Sequence, residues 1–441
     1  MNQVFNIAKM TILMTFRRGT LPAALIVIAV LSTVIFNIAR SDGELSNELE
    51  IRLTYSYGMT YSILSLIIIS LACFTIRSQL DAKNIHMLTS YPIQRKWIFL
   101  GQGIGVLFIG VLSLIVLVIS LYANAAVLKG NYTDEQISEA SDLIFNSRRK
   151  VIPYYPSKRD LTLTYAEKNS IDVKALNEIQ WDVVYERALA NEQIIEPGKS
   201  KSYIFSLGES PGGEKEEVNF NFRFQQAEKR NKINGILEIS SDNTAISYKQ
   251  KIEAEQYQFQ KVSVPAKYIP ADGNFTLAFT NTSDKSTILT RSGLNCSYQS
   301  GSFGKNLIKA LISQVFHLSV VTAVGLTAGL GLTFSVATFI VIMLYVMSIM
   351  EGVIAVVAEE LQFVAVIDFW DKAVMSIMEI SLWVTKGLQP PDVISNISSG
   401  ILLENSYLFL EWLPSVFVYG FIAVIIGLRI FENKELDKIQ V

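Results

Sequence analysis

Ile98-Phe-Leu-Gly-Gln-Gly-Ile-Gly-Val-Leu-Phe-Ile-Gly-Val-Leu-Ser-Leu-Ile-Val-Leu-Val-Ile-Ser-Leu-Tyr-Ala-Asn-Ala-Ala-Val127 contains no Lys, Arg, Asp or Glu. A helix of this length rises about 45 Å, more than the roughly 30 Å hydrocarbon core of a bilayer. Five further stretches are nearly free of charge: Leu21–Ala39, Gly58–Ile76, Leu307–Phe334, Ser335–Val357 and Phe409–Leu428. Between the third and fourth runs lies Lys129–Lys305, which holds 23 of the 38 Lys+Arg and 23 of the 40 Asp+Glu. That contrast predicts a polytopic α-helical membrane protein of six transmembrane helices with one water-facing domain inserted in its middle. Residues 1–128 form the first membrane half, 129–305 the insert and 306–441 the second half.

Basic residues near short loops set the expected orientation. Lys9, Arg17 and Arg18 precede the first run. Arg77, Lys83, Arg95 and Lys96 lie between the second and third, and Arg429, Lys434 and Lys438 follow the last. Asp42, Glu44, Glu48 and Glu50 follow the first run, and Glu359, Glu360, Asp368 and Asp371 follow the fifth. Both termini are therefore expected in the cytoplasm, the insert is expected outside, and the location is the cytoplasmic membrane. The first run is long and starts only at Leu21, so it does not read as a cleaved signal peptide. Before it, Asn2–Phe16 mixes apolar residues with Lys9, leaving two readings: a helix in the cytoplasmic interface, broken at Thr20-Leu-Pro22, or an extension of the first span.

The insert has two textures. Residues 129–197 are helix-like in places, with Leu176, Ile179, Val183 and Ala190 at helical spacing in Asp172–Asn191. From Gly198 to Lys305 short alternating runs take over, of which Val218-Asn-Phe-Asn-Phe-Arg-Phe224 is the clearest. Val218, Phe220, Phe222 and Phe224 share one face of a half-buried antiparallel strand. Turn residues separate the runs, and a β-sandwich is the expected closure of this α+β domain. The chain has two cysteines, Cys73 in a span and Cys296 in the insert, which excludes a disulfide within the insert. Residues 358–405 carry Trp370 and Trp383 among mixed apolar and charged residues, which predicts helices at the outer interface ended by Gln389-Pro-Pro.

Several chemistries are absent from the sequence. No G-x-x-x-x-G-K-[ST] phosphate loop occurs, and the two histidines, His86 and His317, have no metal-ligand spacing. No catalytic, cofactor or metal site is expected in the chain, and no nucleic-acid partner. His317, Glu351 and Asn37 read as structural polar contacts within or near the spans, with an ionic or proton-carrying role as the sharper alternative for the first two. Tyr154, Tyr155, Trp181 and Tyr185 read mainly as core of the insert, and otherwise as a carbohydrate-binding surface.

The loop between the second and third runs is distinctive: a short helical stretch, a Tyr91-Pro92 break, then Arg95-Lys96 leading back into the membrane. Leu88, Thr89, Ser90, Pro92, Ile93 and Arg95, followed by Gly101, Gln102 and Gly105, resemble the loop and re-entry of the permease subunits of type-2 exporter-class ABC transporters. Gln94 stands where that family has a small hydroxyl residue, and Gln102 where it has Lys. Gly329-Leu-Gly-Leu-Thr-Phe-Ser-Val-Ala resembles the family's turn between spans four and five. Leu428-Arg-Ile-Phe-Glu-Asn-Lys-Glu-Leu resembles its exit from the last span. The resemblance covers the two membrane halves; the insert departs from the minimal pattern.

The resemblance implies a non-enzymatic membrane subunit of an ATP-driven exporter. ATP and Mg would bind a separate cytoplasmic ATPase subunit, and a second permease subunit would pair with this one. It further implies that Asp81–Lys96 is the lever on which the ATPase pushes, with Leu88, Tyr91, Pro92 and Arg95 as contact and stiffening residues. Beside the resemblance, the insert is expected to receive or hand on a substrate outside the membrane or to dock an extracytoplasmic protein, with carbohydrate as the ligand that its aromatic residues would suit. The competing expectation is a membrane receptor or scaffold whose external sandwich is the sensor.

Overall fold

Charge and apolarity partition the chain into two units: residues 1–145 with 303–441, and residues 146–302. The computed structural model describes residues 2–39, 45–82, 94–134, 136–137, 146–172, 178–208, 217–225, 232–241, 244–256, 259–350, 376, 380, 385–391, 393–405, 408 and 412–433.

The first unit is helical. Its elements before the insert are α1 (Asn2–Arg17), α2 (Thr20–Ile38), α3 (Leu45–Asp81) and α4 (Arg95–Lys129). After the insert come α7 (Phe303–Gly331), α8 (Phe334–Ile349), a 3-10 turn (Lys386–Leu388), α9 (Ile394–Ser398) and α10 (Leu413–Asn433). Helices α2, α3, α4, α7 and α10 are each long and apolar enough to cross a membrane, consistent with a multi-pass membrane protein. The expected fifth span begins as α8, whose 16 residues rise about 24 Å. Its remainder, with Glu351 and most of the expected interface segment 358–405, lies outside the described residues.

α1 is a helix separate from α2, which removes the reading of residues 2–16 as a continuous extension of the first span. The break falls at Gly19, not at Thr20-Leu-Pro22. Gly19 takes φ 77°, a left-handed conformation that costs glycine no Cβ clash. Pro22 instead sits in the first turn of α2, where a missing N–H removes no helical hydrogen bond.

α3 and α7 form the centre of the unit, and small residues set their separation. A Cβ on Gly325 would lie 2.8 Å from Ala72 Cβ, and one on Gly329 would lie 2.8 Å from the Cys73 carbonyl oxygen. Gly325 and Gly329 are one turn apart, so they form a flat stripe into which α3 packs. A second stripe, Gly101 and Gly105 of α4, receives α1: added Cβ atoms would meet Ile7 and Thr11 at 2.7 and 2.8 Å. α2 touches its neighbours through polar bonds as well. Ser32 and Ser120 hydroxyls lie 2.7 Å apart, and Asn124 Nδ2 donates to Thr33 Oγ1 at 3.1 Å. Asn37 is a local contact, donating to Thr33 O within its own helix.

α3 runs well beyond its apolar stretch at the end nearest α2's C-terminus. There Arg52 pairs with Glu48 one turn earlier, donates to Phe36 O at 3.1 Å, and Tyr132 donates to Glu48. The Glu48–Arg52 pair thus fastens the ends of α2 and α3 and the residues just after α4.

The second unit begins with β1 (Asn146–Val151), α5 (Lys158–Lys168), α6 (Glu178–Gln193) and β2 (Ile194–Ile195). Strands β3 (Ser200–Ser206), β4 (Glu217–Gln225), β5 (Ile233–Ser241), β6 (Thr244–Ala254), β7 (Phe259–Pro265), β8 (Asn274–Asn281) and β9 (Thr287–Ser302) follow. One sheet has the order β1-β9-β4-β7, with β2 also on β9; the other has β3-β8-β5-β6. All pairings are antiparallel. The expected alternation of β4 holds: Val218, Phe220, Phe222 and Phe224 are all fully buried. They meet the other sheet directly, with Phe224 and Phe279 rings 4.7 Å apart and Phe205 edge-on to Phe220 at 5.8 Å.

Two boundaries differ from expectation. The unit starts near residue 146, because Tyr132 and its neighbours belong with the helical unit. The stretch 129–197 is also not purely helical, since β1 and β2 both join β9. Residues 146 and 302 are direct partners across β1 and β9, so the unit's ends lie side by side.

Cys73 and Cys296 are both buried, and burial pushes the Cys296 thiol well above its usual range. The native protein in mild detergent should therefore take up almost no maleimide, and two equivalents after denaturation. Intact-mass measurement checks this. Rapid native modification of Cys296 would mean that the β4–β9 pairing around it is open.

Candidate functional site

Three of the four residues singled out in the loop, Leu88, Tyr91 and Pro92, lie outside the described residues. Arg95 is described, as are both roots of the loop. Arg95 opens α4 and donates Nη1 to the carbonyl oxygens of Phe431 at 3.3 Å and Glu432 at 3.1 Å. These carbonyls belong to the last described turn of α10. Arg95 thus ties the start of α4 to the end of α10.

The other root is held similarly. Arg77, in the last turns of α3, donates to Leu332 O at 3.3 Å, in the turn between α7 and α8, and pairs with Asp81 at 2.8 Å. The expected tight turn at Gly329–Ala337 is present, with α7 ending at Gly331 and α8 starting at Phe334. Between the roots, Gln102 Nε2 donates to Gln79 Oε1. Gln102 is fully buried. A lysine there would have to bury its ammonium, so the neutral amide suits a site whose partner is another amide.

The loop therefore springs from a frame that joins α3, α4, the α7–α8 turn and α10. Gly101 and Gly105, immediately inside it, carry α1. Hydrogen bonds and direct packing thus join all of these helices at the two ends of the α3–α4 connection. In the sequence Arg77 reads only as an orientation marker and Leu332 only as part of the turn between spans four and five, while Gln79 carries no signal.

A second polar cluster lies inside the bundle. His317 is fully buried. Its Nε2 is 2.9 Å from Leu388 O, which can only accept, so Nε2 carries the hydrogen. Nδ1 then accepts from the Tyr61 hydroxyl at 2.8 Å. Ser348 also donates to Leu388 O, at 3.2 Å, and Tyr57 donates to Gln314. The cluster secures the short 3-10 turn Lys386–Leu388, whose Leu388 carbonyl would otherwise be stranded among apolar helices. Both imidazole nitrogens are thus occupied, which is the structural reading of His317. Among the described residues no group of three or more His, Cys, Asp or Glu is placed to hold a metal ion.

The aromatic candidates of the second unit differ in burial and contacts. Tyr154 is 74% exposed. Tyr155 packs against the sandwich core, its ring 4.9 Å from the guanidinium of Arg291, which pairs with Glu192 at 2.9 Å. Burial pushes the Tyr155 hydroxyl up to about 12. Trp181 and Tyr185 lie half-buried one turn apart on α6, and Lys158 covers the Tyr185 ring at 4.9 Å.

A scan against protein-family models gave no matching family, and searches of curated proteins and of solved structures gave no match either.

Proposed function

We propose that this chain is the membrane subunit of an ATP-driven transporter of the type-2 exporter class, seated on a separate cytoplasmic ATPase and paired with a second permease subunit. The observation that carries this reading is the frame where the Asp81–Lys96 segment joins α3 and α4. A loop that only joined two spans would not need both roots bonded to distant helices. A lever needs that, because force delivered by a soluble motor must reach a packed bundle without being lost in a soft hinge. On this reading the termini and the lever face the cytoplasm, the β-sandwich unit faces outward, and the chain does no bond chemistry of its own. ATP and Mg belong to the partner.

Replacing Tyr91 and Pro92 together by glycine removes an aromatic anchor and a fixed backbone angle. The variant should reach the membrane at normal levels and lose most of the ATPase that copurifies with the parent protein. Glycine at Ser41 and Asp42, in the loop after α2, should leave copurification unchanged. If no protein with a G-x-x-x-x-G-K-[ST] motif copurifies with the parent in gentle detergent, the transporter reading fails. The reading as a receptor or scaffold, with the sandwich binding a protein or carbohydrate, then takes its place.

A further inference from the structure

We infer that the helical unit contains a binding site for a lipid acyl chain, in a crevice between α3, α4, α7 and α9. Leu53 of α3, Val118, Leu121 and Ala125 of α4, and Leu307 of α7 form its walls. Three residues with hydroxyl groups also line it, Tyr57, Tyr122 and Ser398. Two of them are turned to protein partners: Tyr57 donates to Gln314, and the Ser398 hydroxyl lies 2.6 Å from Thr54 Oγ1. The third, Tyr122, is exposed. The interior is therefore walled by carbon, and such a space holds neither water nor a polar cargo.

What fills it follows from the medium. Tyr122 is 42% exposed, and Ile119, three residues earlier on the same side of α4, is 63% exposed. The crevice thus opens sideways onto the apolar surface that these helices present. For a bundle in a bilayer that surface is bathed in hydrocarbon, and the occupant available at every moment is the chain of a neighbouring phospholipid. Position along the helices agrees with this. The crevice lies at the end where α4 finishes and α7 begins, and Lys129 stands one turn beyond Ala125 on the same side of α4. A chain seated between Val118 and Ala125 would leave its phosphate at the level of that lysine. The inference rests on the membrane character of the unit and is independent of the transporter reading.

The test uses the full chain in phosphatidylcholine vesicles containing a phospholipid with a diazirine at mid-chain. After irradiation, peptides spanning residues 118–125 should carry adduct at least several-fold above the outward-facing Phe417–Phe421 stretch of α10. Ala125→Phe fills the crevice and should reduce that adduct to the α10 level, while leaving the α10 adduct unchanged. Equal labelling of the two regions in the unmodified protein means ordinary lipid contact and overturns the inference, whether or not the variant folds. A diazirine analogue of leucine placed at Leu121 should crosslink to lipid. Crosslinking to a second copy of the chain in place of lipid also overturns the inference, by assigning the crevice to a dimer contact. Failure to copurify an ATPase would leave these results unaffected, so the two readings fail separately.

Discussion

Gly329→Val should lower the thermal midpoint of the helical unit by several degrees, whereas Gly331→Ala, only two residues on, should leave it unchanged. The first substitution drives a side chain against the Cys73 backbone, where a Cβ alone would lie 2.8 Å from the carbonyl oxygen and 2.7 Å from Ile76 Cγ2. Backbone cannot swing aside as a flexible side chain does, so α3 and α7 must part. Overpacking of this kind costs about 1–3 kcal/mol and sometimes more. At Gly331 nothing lies within 4 Å. A thiol-reactive dye in a Cys296→Ser background reports the transition, since Cys73 is buried in that seam and becomes accessible as it opens. Equal midpoints for the two variants would show that α3 and α7 do not meet through Gly329.

Phe279→Ala should cost the β-sandwich about 3–5 kcal/mol, the usual range for removing a fully buried phenyl ring. Phe279 is completely buried, touches Phe224 of the facing sheet, and packs under Gly235 so closely that a Cβ there would lie 2.3 Å from its ring. The measurement is chemical denaturation of residues 146–302 expressed alone. Because the paired strands β1 and β9 hold the two ends together, excision leaves no strand without its partner. The parent fragment should melt cooperatively and identically with and without reductant, since it contains one cysteine. A fragment that stays unfolded, or that needs detergent, would mean that this core is not self-sufficient.

The apolar runs are legible in the sequence because a bilayer leaves little choice: every buried peptide group must bond within its own helix. Helix ends are less legible. α3 extends to Leu45 because Glu48 and Arg52 continue the helix by pairing across one turn, and a hydropathy reading stops at the first charge. In the sandwich, the alternating runs of the sequence, which start at Tyr203, Val218, Ile236, Tyr257 and Phe275, correspond to β3, β4, β5, β7 and β8. The remaining strands are hidden for physical reasons. β6 is an edge strand rich in Lys, Gln and Glu, so half of its alternation is masked by charge. β9 is broken by a register shift opposite Phe222 and Phe224 and by Gly293, whose added Cβ would meet Arg223 O at 2.7 Å. The two glycine stripes stand in the sequence as Gly101-x-x-x-Gly105 and Gly325-x-x-x-Gly329. The first enters only as part of a family resemblance; of the second, Gly329 reads as the start of the turn that follows it, and Gly325 carries no separate signal. Of the lever residues, only Arg95 can be followed into the structure, where its hydrogen bonds to α10 are a long-range contact that no local pattern encodes.

The seam between α3 and α7 also has a schedule. Asp81 and Gly329 are 248 residues apart, and at about 5–20 residues per second a ribosome needs roughly 12–50 s to make that interval. Throughout that time the face of α3 bearing Tyr57, Tyr61 and Ala72 exists without the helix it is shaped for, and the hydroxyls later bonded to Gln314 and His317 have no such acceptor. A nascent chain in this state needs shelter from whichever factor inserts it. Moving the 157-residue unit elsewhere in the gene would shorten the vigil, so the position of the insert sets a demand on biosynthesis that the finished fold no longer displays.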